Sequence, residues 1–269
     1  PRYLFRWFQA PDGADYREEE TWRAANPSYG VLVTKEQLAD KVANVPQAQF
    51  ERYFLNRWTK TEETWLPAGA WDACKVAPFA FAPDQPLYGA VDAATKEDST
   101  AVVLAQWHGE KLRLRARIWE RPTDMNGAPV QDWVLPLAEV EQYLRDLDRD
   151  FDFHFGIDPR FLERTRQVLE ADGLSVEEVP QSDSRMVPAS QSLYELVVQG
   201  NVEHEGDAAF TRHIESAVAR EAFSGGWRLS KGRSRKKMDA AVAAAMAAHI
   251  AVQERGRTPA VEPRILVLG

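Results

Sequence analysis

The run Leu87-Tyr88-Gly89-Ala90-Val91-Asp92-Ala93-Ala94-Thr95 constrains this chain more than any other stretch. It reads as an apolar strand ending on a carboxylate. The polar turn Lys96-Glu97-Asp98-Ser99-Thr100 follows, then a second apolar strand, Ala101-Val102-Val103-Leu104-Ala105, hairpinned back on the first. An Asp at the end of an apolar strand is costly unless something positive meets it. Two more acids stand in similarly pointed contexts, Asp158 in Phe155-Gly156-Ile157-Asp158-Pro159 and Asp239 in Lys236-Lys237-Met238-Asp239-Ala240. We read Asp92, Asp158 and Asp239 as converging on divalent metal ions, with Asp98 a turn acid that is the further candidate ligand.

The elements expected around these acids give an α/β fold. Leu87–Asp92, Thr100–Trp107 and Lys111–Glu120 are three meandering strands. The last carries Leu112, Leu114, Ala116 and Ile118 on one face and Arg113, Arg115 and Arg117 on the other. A helix over 136–148, a strand over 151–157, a helix from Pro159 to Asp172 stopped by Gly173, and a short strand over 175–179 follow. Helices over 190–199 and 208–223, a short strand over 226–230 and an Ala-rich helix over 236–252 complete the pattern. Strands before helices, then alternation, imply a mixed sheet flanked by helices. In such sheets ligands gather at the carboxyl ends of strands, where Asp92 and Asp158 both lie.

Residues 1–84 differ in character. Arg2–Gln9 is aromatic and strand-like, Thr34 and Gln37 have capping-box spacing for a helix to about Val45, and Phe50, Tyr53, Phe54 and Trp58 follow a helical period after Pro46. Segments 65–71 and 78–86 read as a wandering connector. We therefore expect a partly helical N-terminal extension over 1–84, one domain over 85–255 and a tail over 256–269. The chain opens on Pro1 rather than Met and reads as a piece of a longer product.

Composition narrows the function classes. The single cysteine, Cys74, excludes an internal disulfide framework and a cysteine zinc cluster. No apolar run approaches the roughly 18 residues of a membrane span. A net charge of −8 argues against nonspecific wrapping of a polyanion over the whole surface. Yet Arg228, Lys231, Arg233, Arg235, Lys236 and Lys237 put six cations within ten residues, with no acid among them. That patch suits phosphate contacts and equally suits a solvated loop. The acids have plain readings too. Asp158 before Pro159 is good N-cap chemistry, Asp92 can be a turn residue, and Asp239 suits the positive end of a helix dipole. His154, His204 and His213 are too scattered for a ligand motif and read as structural or surface residues.

Segment 87–105, Ile157-Asp158-Pro159, Val179-Pro180-Gln181, the pattern from Met186 through Leu193 and Leu196 to Gly200-Asn201-Val202-Glu203-His204, His213, and the run from Lys231 to Lys237-Met238-Asp239-Ala240-Ala241 together resemble, in order, the nuclease domain of tailed-phage terminase large subunits. Glu18–Trp22 with Ala25-Asn26-Pro27 resembles the end of that family's packaging ATPase, and Asn56-Arg57-Trp58 with Trp71–Cys74 its linker. The resemblance implies an RNase H-like fold and metal-dependent cutting of concatemeric viral DNA during packaging. It implies Asp92, Asp158 and Asp239 as the acidic triad; the place of Asp92 on the first, central strand makes it the expected bridge between two Mg²⁺ or Mn²⁺ ions, with Asp158 and Asp239 holding one each. Lys231, Arg233, Arg235, Lys236 and Lys237 would contact double-stranded DNA. Portal and small terminase subunit would be partners in the full assembly, in the host cell cytoplasm. The chain lacks a G-x-x-x-x-G-K-[ST] phosphate loop, so no ATPase activity is expected of it. Rival readings are a resolvase or transposase of the same fold, a non-catalytic docking module, and a small-molecule phosphoesterase.

Overall fold

Strands that alternate apolar side chains to both faces need a covering layer on each, and this chain supplies two. The computed structural model describes residues 4, 6–58, 65–94, 99–125, 128–223, 225–231 and 237–257. Helices α1 (Glu19–Ala25), α2 (Lys35–Asn44) and α3 (Gln47–Phe54) come first. Then follow β1 (Leu87–Ala94), β2 (Ser99–His108), β3 (Lys111–Glu120), α4 (Leu137–Asp150), β4 (Phe153–Ile157) and α5 (Pro159–Ala171). The rest is β5 (Val176–Glu178), α6 (Asp183–Val198), β6 (Val202–His204), α7 (Ala208–Ser216), β7 (Ala217–Glu221), β8 (Trp227–Lys231) and α8 (Asp239–Arg257).

Six strands form one sheet in the order β5-β4-β1-β2-β3-β6. β1–β2 and β2–β3 are antiparallel, while β1–β4, β4–β5 and β3–β6 are parallel. This is the mixed sheet expected from the element order. On β2, Ala101, Val103 and Ala105 join one core with Met186, Leu193, Phe210 and α8, whereas Val102 and Leu104 join another with Val140, Leu144, Leu162 and Leu169. A strand buried on both faces reads as a continuous apolar run, which is why β2 shows no alternation in sequence. β3 does alternate. Its Leu112 and Leu114 face the first core, while Arg113 and Arg115 pair with Glu203 and Glu205 and lie over the Phe79 ring.

Helix α8 lies directly on the sheet because its side chains are small. Ala240, Ala241, Ala243, Ala244, Ala245, Ala247 and Ala248 are all fully buried, and a helix apolar on every side belongs in a core. Gly156 completes the approach: a Cβ there would stand 2.6 Å from Val179 Cγ2 and 2.9 Å from Ile250 Cδ1.

The N-terminal segment divides its loyalties. Trp22, Leu38, Phe50 and Leu55 build a cluster of their own, and α2 opens with the expected capping box between Thr34 and Gln37. Trp65 and Trp71 instead belong to the sheet's core. Trp65 Nε1 donates to Ile214 O at 2.8 Å, and Trp71 stacks on His204 with centroids 4.0 Å apart. His204 Nε2 donates to Trp71 O at 2.9 Å while Nδ1 accepts from Gly206 N–H at 3.0 Å. Burial, chiefly, lowers the pKa of this ring.

Several expectations need correction. The helix expected over 208–223 stops at Ser216, and Ala217–Glu221 pairs with Trp227–Lys231 as a hairpin turned by Gly225 and Gly226 at φ +85° and +79°. Helix-compatible residues have been recruited by pairing with a Trp/Leu strand, tertiary contact overriding propensity. α6 starts at Asp183, upstream of the expected 190, and carries Pro188 inside. β6 was not expected. Residues 4 and 6–9 form no strand, and Trp58 lies beyond α3, 87% exposed, with its ring stacked on Trp7.

Two outcomes follow for stability. A histidine whose pKa is lowered by folding gains its proton more readily once unfolded. Stability is therefore complete above about pH 6.5 and falls as pH drops below it. Thermal melts between pH 7 and 5 should show this loss. His204→Gln should be less stable at pH 7 but lose less on acidification. Gly156→Val should destabilise by about 1–3 kcal/mol through overpacking against α8, measured by urea unfolding.

Candidate active site

β1 and β4 are parallel neighbours with Val91 opposite Ile157, so Asp92 and Asp158 occupy the next step at the carboxyl ends of adjacent strands. Asp92 alternates with Tyr88 and Ala90 toward the α8 face of the sheet. Gln181, just beyond β5, donates from Nε2 to Asp92 Oδ1 at 2.6 Å. Its own carbonyl accepts from Arg228 Nη1 of β8 at 2.8 Å. Asp239 is the first residue of α8, where the helix dipole favours a negative charge. Ser99 Oγ, at the start of β2 and opposite Ala94 of β1, donates to Asp239 Oδ2. Two strands and a helix thus deliver three carboxylates to one end of the sheet, each at most 5% exposed.

Asp158 answers both readings made of it. Its Oδ1 accepts from Arg160 N–H at 3.1 Å, which is the N-cap of α5. Its Oδ2 is buried with no hydrogen-bond partner. Burial raises its pKa above the ordinary carboxylate range, against the opposing pull of the Arg160 N–H and charge. Asp98, Arg233, Arg235 and Lys236 lie outside the described residues, as does the Lys231 side chain. Lys237, two residues before Asp239, lines an open cleft of about 700 Å³ with Glu120, Arg121, Arg212 and Glu215.

Two groups at the site were given no role by sequence reasoning: Gln181, visible only as part of Val179-Pro180-Gln181, and Ser99, which opens an apolar strand. Of the histidines, His204 and His213 are buried and His154 is exposed near Asp152.

Comparison with known proteins supplies the family likeness. The large terminase subunit of Enterobacteria phage HK97 is 25% identical over 290 residues, taking in 95% of this chain and 56% of that protein. The chain resembles the large terminase subunit of tailed phages. The crystal structure of the HK97 large terminase matches with a TM-score of 0.59 at 22% identity, over 90% of this chain and 56% of that one. The large terminase nuclease of thermophilic phage G20c with bound magnesium matches at 0.52 and 14% identity, over 71% of this chain and 98% of that one. The terminase-like chain spans about half the length of its curated relative. Its fold is the RNase H-like fold of those nucleases. No protein-family model matches the chain.

The G20c nuclease has also been solved with bound cobalt. In the terminase-like chain, hard oxygen donors and the orphaned Oδ2 of Asp158 fit a divalent cation of the Mg²⁺ or Mn²⁺ kind. Among the described residues no three His, Cys, Asp or Glu side chains form a ready cage. The carboxylates are turned instead toward Gln181, Arg160 N–H and Ser99.

Proposed function

We propose that this chain is a metal-dependent DNA endonuclease, the cutting part of a phage packaging motor, acting on concatemeric viral DNA. The observation that carries the reading is the pair Asp92 and Asp158 at adjacent parallel strand ends, with Asp239 brought to the same sheet end by α8 and one buried carboxylate oxygen left unsatisfied. Asp92, Asp158 and Asp239 would together hold two Mg²⁺ or Mn²⁺ ions through their carboxylate oxygens. When bound, such a pair stabilises both the attacking and the leaving oxygen of a phosphodiester.

The protein's own groups prepare that site. Gln181 fixes the rotation of Asp92 through its amide, Ser99 does so for Asp239 through its hydroxyl, and the cap to Arg160 N–H holds one oxygen of Asp158. Exclusion of water raises the cation affinity of all three acids. Lys237, with Lys231, Arg233, Arg235 and Lys236, would contact DNA phosphates, positioning the duplex without reading its sequence.

In the whole protein, residues 1–84 would be the end of an ATPase domain and its linker, 85–255 the nuclease domain and 256–269 a tail. The linker would not hang free, since Trp65 and Trp71 enter the sheet's core. ATP hydrolysis would lie outside this chain. Portal, small terminase subunit and double-stranded DNA would be its partners in the host cytoplasm. No helix among the described residues is long and apolar enough to cross a membrane.

The decisive experiment incubates the chain with supercoiled plasmid and Mn²⁺ or Mg²⁺, beside Asp92→Asn and an EDTA control. Wild type should nick or linearise the plasmid, and Asp92→Asn should fall by about a hundredfold or more. Equal activity in both would remove Asp92 from the site. No cutting and no Mn²⁺ binding would make the chain a docking module. DNA retention in a gel should also weaken steeply as salt rises.

A further inference from the structure

Helix α8 begins without a cap of its own. Met238 precedes Asp239, and its carbonyl accepts from Ala241 N and Val242 N at 2.8 and 3.2 Å. Its side chain, however, offers no oxygen to the free N–H groups of the first turn. The acceptor comes from another helix: Ala240 N–H donates to Nδ1 of His213, in the last turn of α7, at 3.0 Å. A backbone amide can only donate, so Nδ1 is unprotonated and Nε2 carries the ring hydrogen. Nε2 donates it to Glu120 Oε1 at 2.5 Å, and Arg212 Nη2 donates to Oε2 at 2.8 Å. Burial alone would raise the Glu120 pKa, but these hydrogen bonds outweigh it and hold it below the ordinary range.

Glu120 is the register partner of Ser99, and Ser99 donates to Asp239. One strand pair therefore grips the start of α8 twice, through a hydroxyl on the carboxylate and through a fully buried imidazole on the next residue's N–H. A side chain at the helix's own N-cap would satisfy the amide equally well. A cap anchored on the sheet also fixes where Asp239 stands relative to Asp92.

We propose that His213 is a positioning residue for Asp239, capping α8 from outside and tying that helix end to β2 and β3 so that Asp239 is held ready for a divalent cation. The proposal rests on the three-carboxylate reading above. The test is calorimetric Mn²⁺ titration of the full chain as wild type, Asp239→Asn, His213→Gln and His213→Asn, with thermal melts in EDTA. Gln reaches Glu120 but offers nothing at the Nδ1 position; Asn does the reverse. His213→Gln should bind Mn²⁺ about tenfold more weakly, whereas His213→Asn, as good a cap acceptor, should stay within about twofold of wild type. Wild-type affinity in His213→Gln, or equal weakening of both variants in step with their melting temperatures, would overturn it. Should His213→Gln fail to fold, His213→Ala beside His213→Asn decides: weaker binding in His213→Ala alone supports the cap, and equal affinity in the two overturns it. A wild type that binds no Mn²⁺ would overturn the metal reading itself, and this proposal with it.

Discussion

The arrangement at the carboxyl ends of β1 and β4 depends on keeping three carboxylates out of water at one end of the sheet. Burying a carboxylate is unfavourable unless its oxygens are met by donors. A side-chain amide, a backbone N–H and a hydroxyl each reach one carboxylate. At Asp158 burial leaves Oδ2 without a hydrogen-bond partner and raises the pKa, against the opposing pull of Arg160. In the proposed site a divalent cation would offset this burial, since it takes several carboxylate oxygens at once.

The same demand explains the packing above the sheet. Asp239 reaches Ser99 only because α8 lies close, and α8 lies close only because it presents alanines and meets Gly156 where any Cβ would collide. Close-packed interiors do not deform smoothly, so a helix wedged away from the sheet would carry its first residue with it. The hairpin β7–β8 adds a second anchor. Arg228 holds the Gln181 carbonyl, and so the amide that steadies Asp92. Core packing and site geometry are thus one problem here.

What was legible in the sequence is what period and punctuation can carry. β3 announced itself by Leu and Arg alternation, α5 by Pro159 and Gly173, and α2 by Thr34 and Gln37. The three acids stood out because each ended or began an apolar element. Segment 65–71 reads as a wandering connector, yet its Trp65 and Trp71 are buried in the sheet's core, because their partners Ile214 and His204 are more than a hundred residues away. β7 was hidden by helix-compatible residues whose strand state is set by β8. Gln181, Ser99 and the Glu120–His213 pair were illegible as site groups for a like reason. Each acts by reaching a residue far along the chain, and no local spacing records that.

In the proposed site these three carboxylates share divalent cations. Anomalous diffraction from crystals grown with Mn²⁺ tests it most directly. Two Mn²⁺ peaks are predicted at the ends of β1 and β4, with oxygens of Asp92, Asp158 and Asp239 about 2.1 Å away, a typical hard-cation distance. Crystals with Mn²⁺ bound elsewhere, and the Asp158 Oδ2 still unligated, would contradict it.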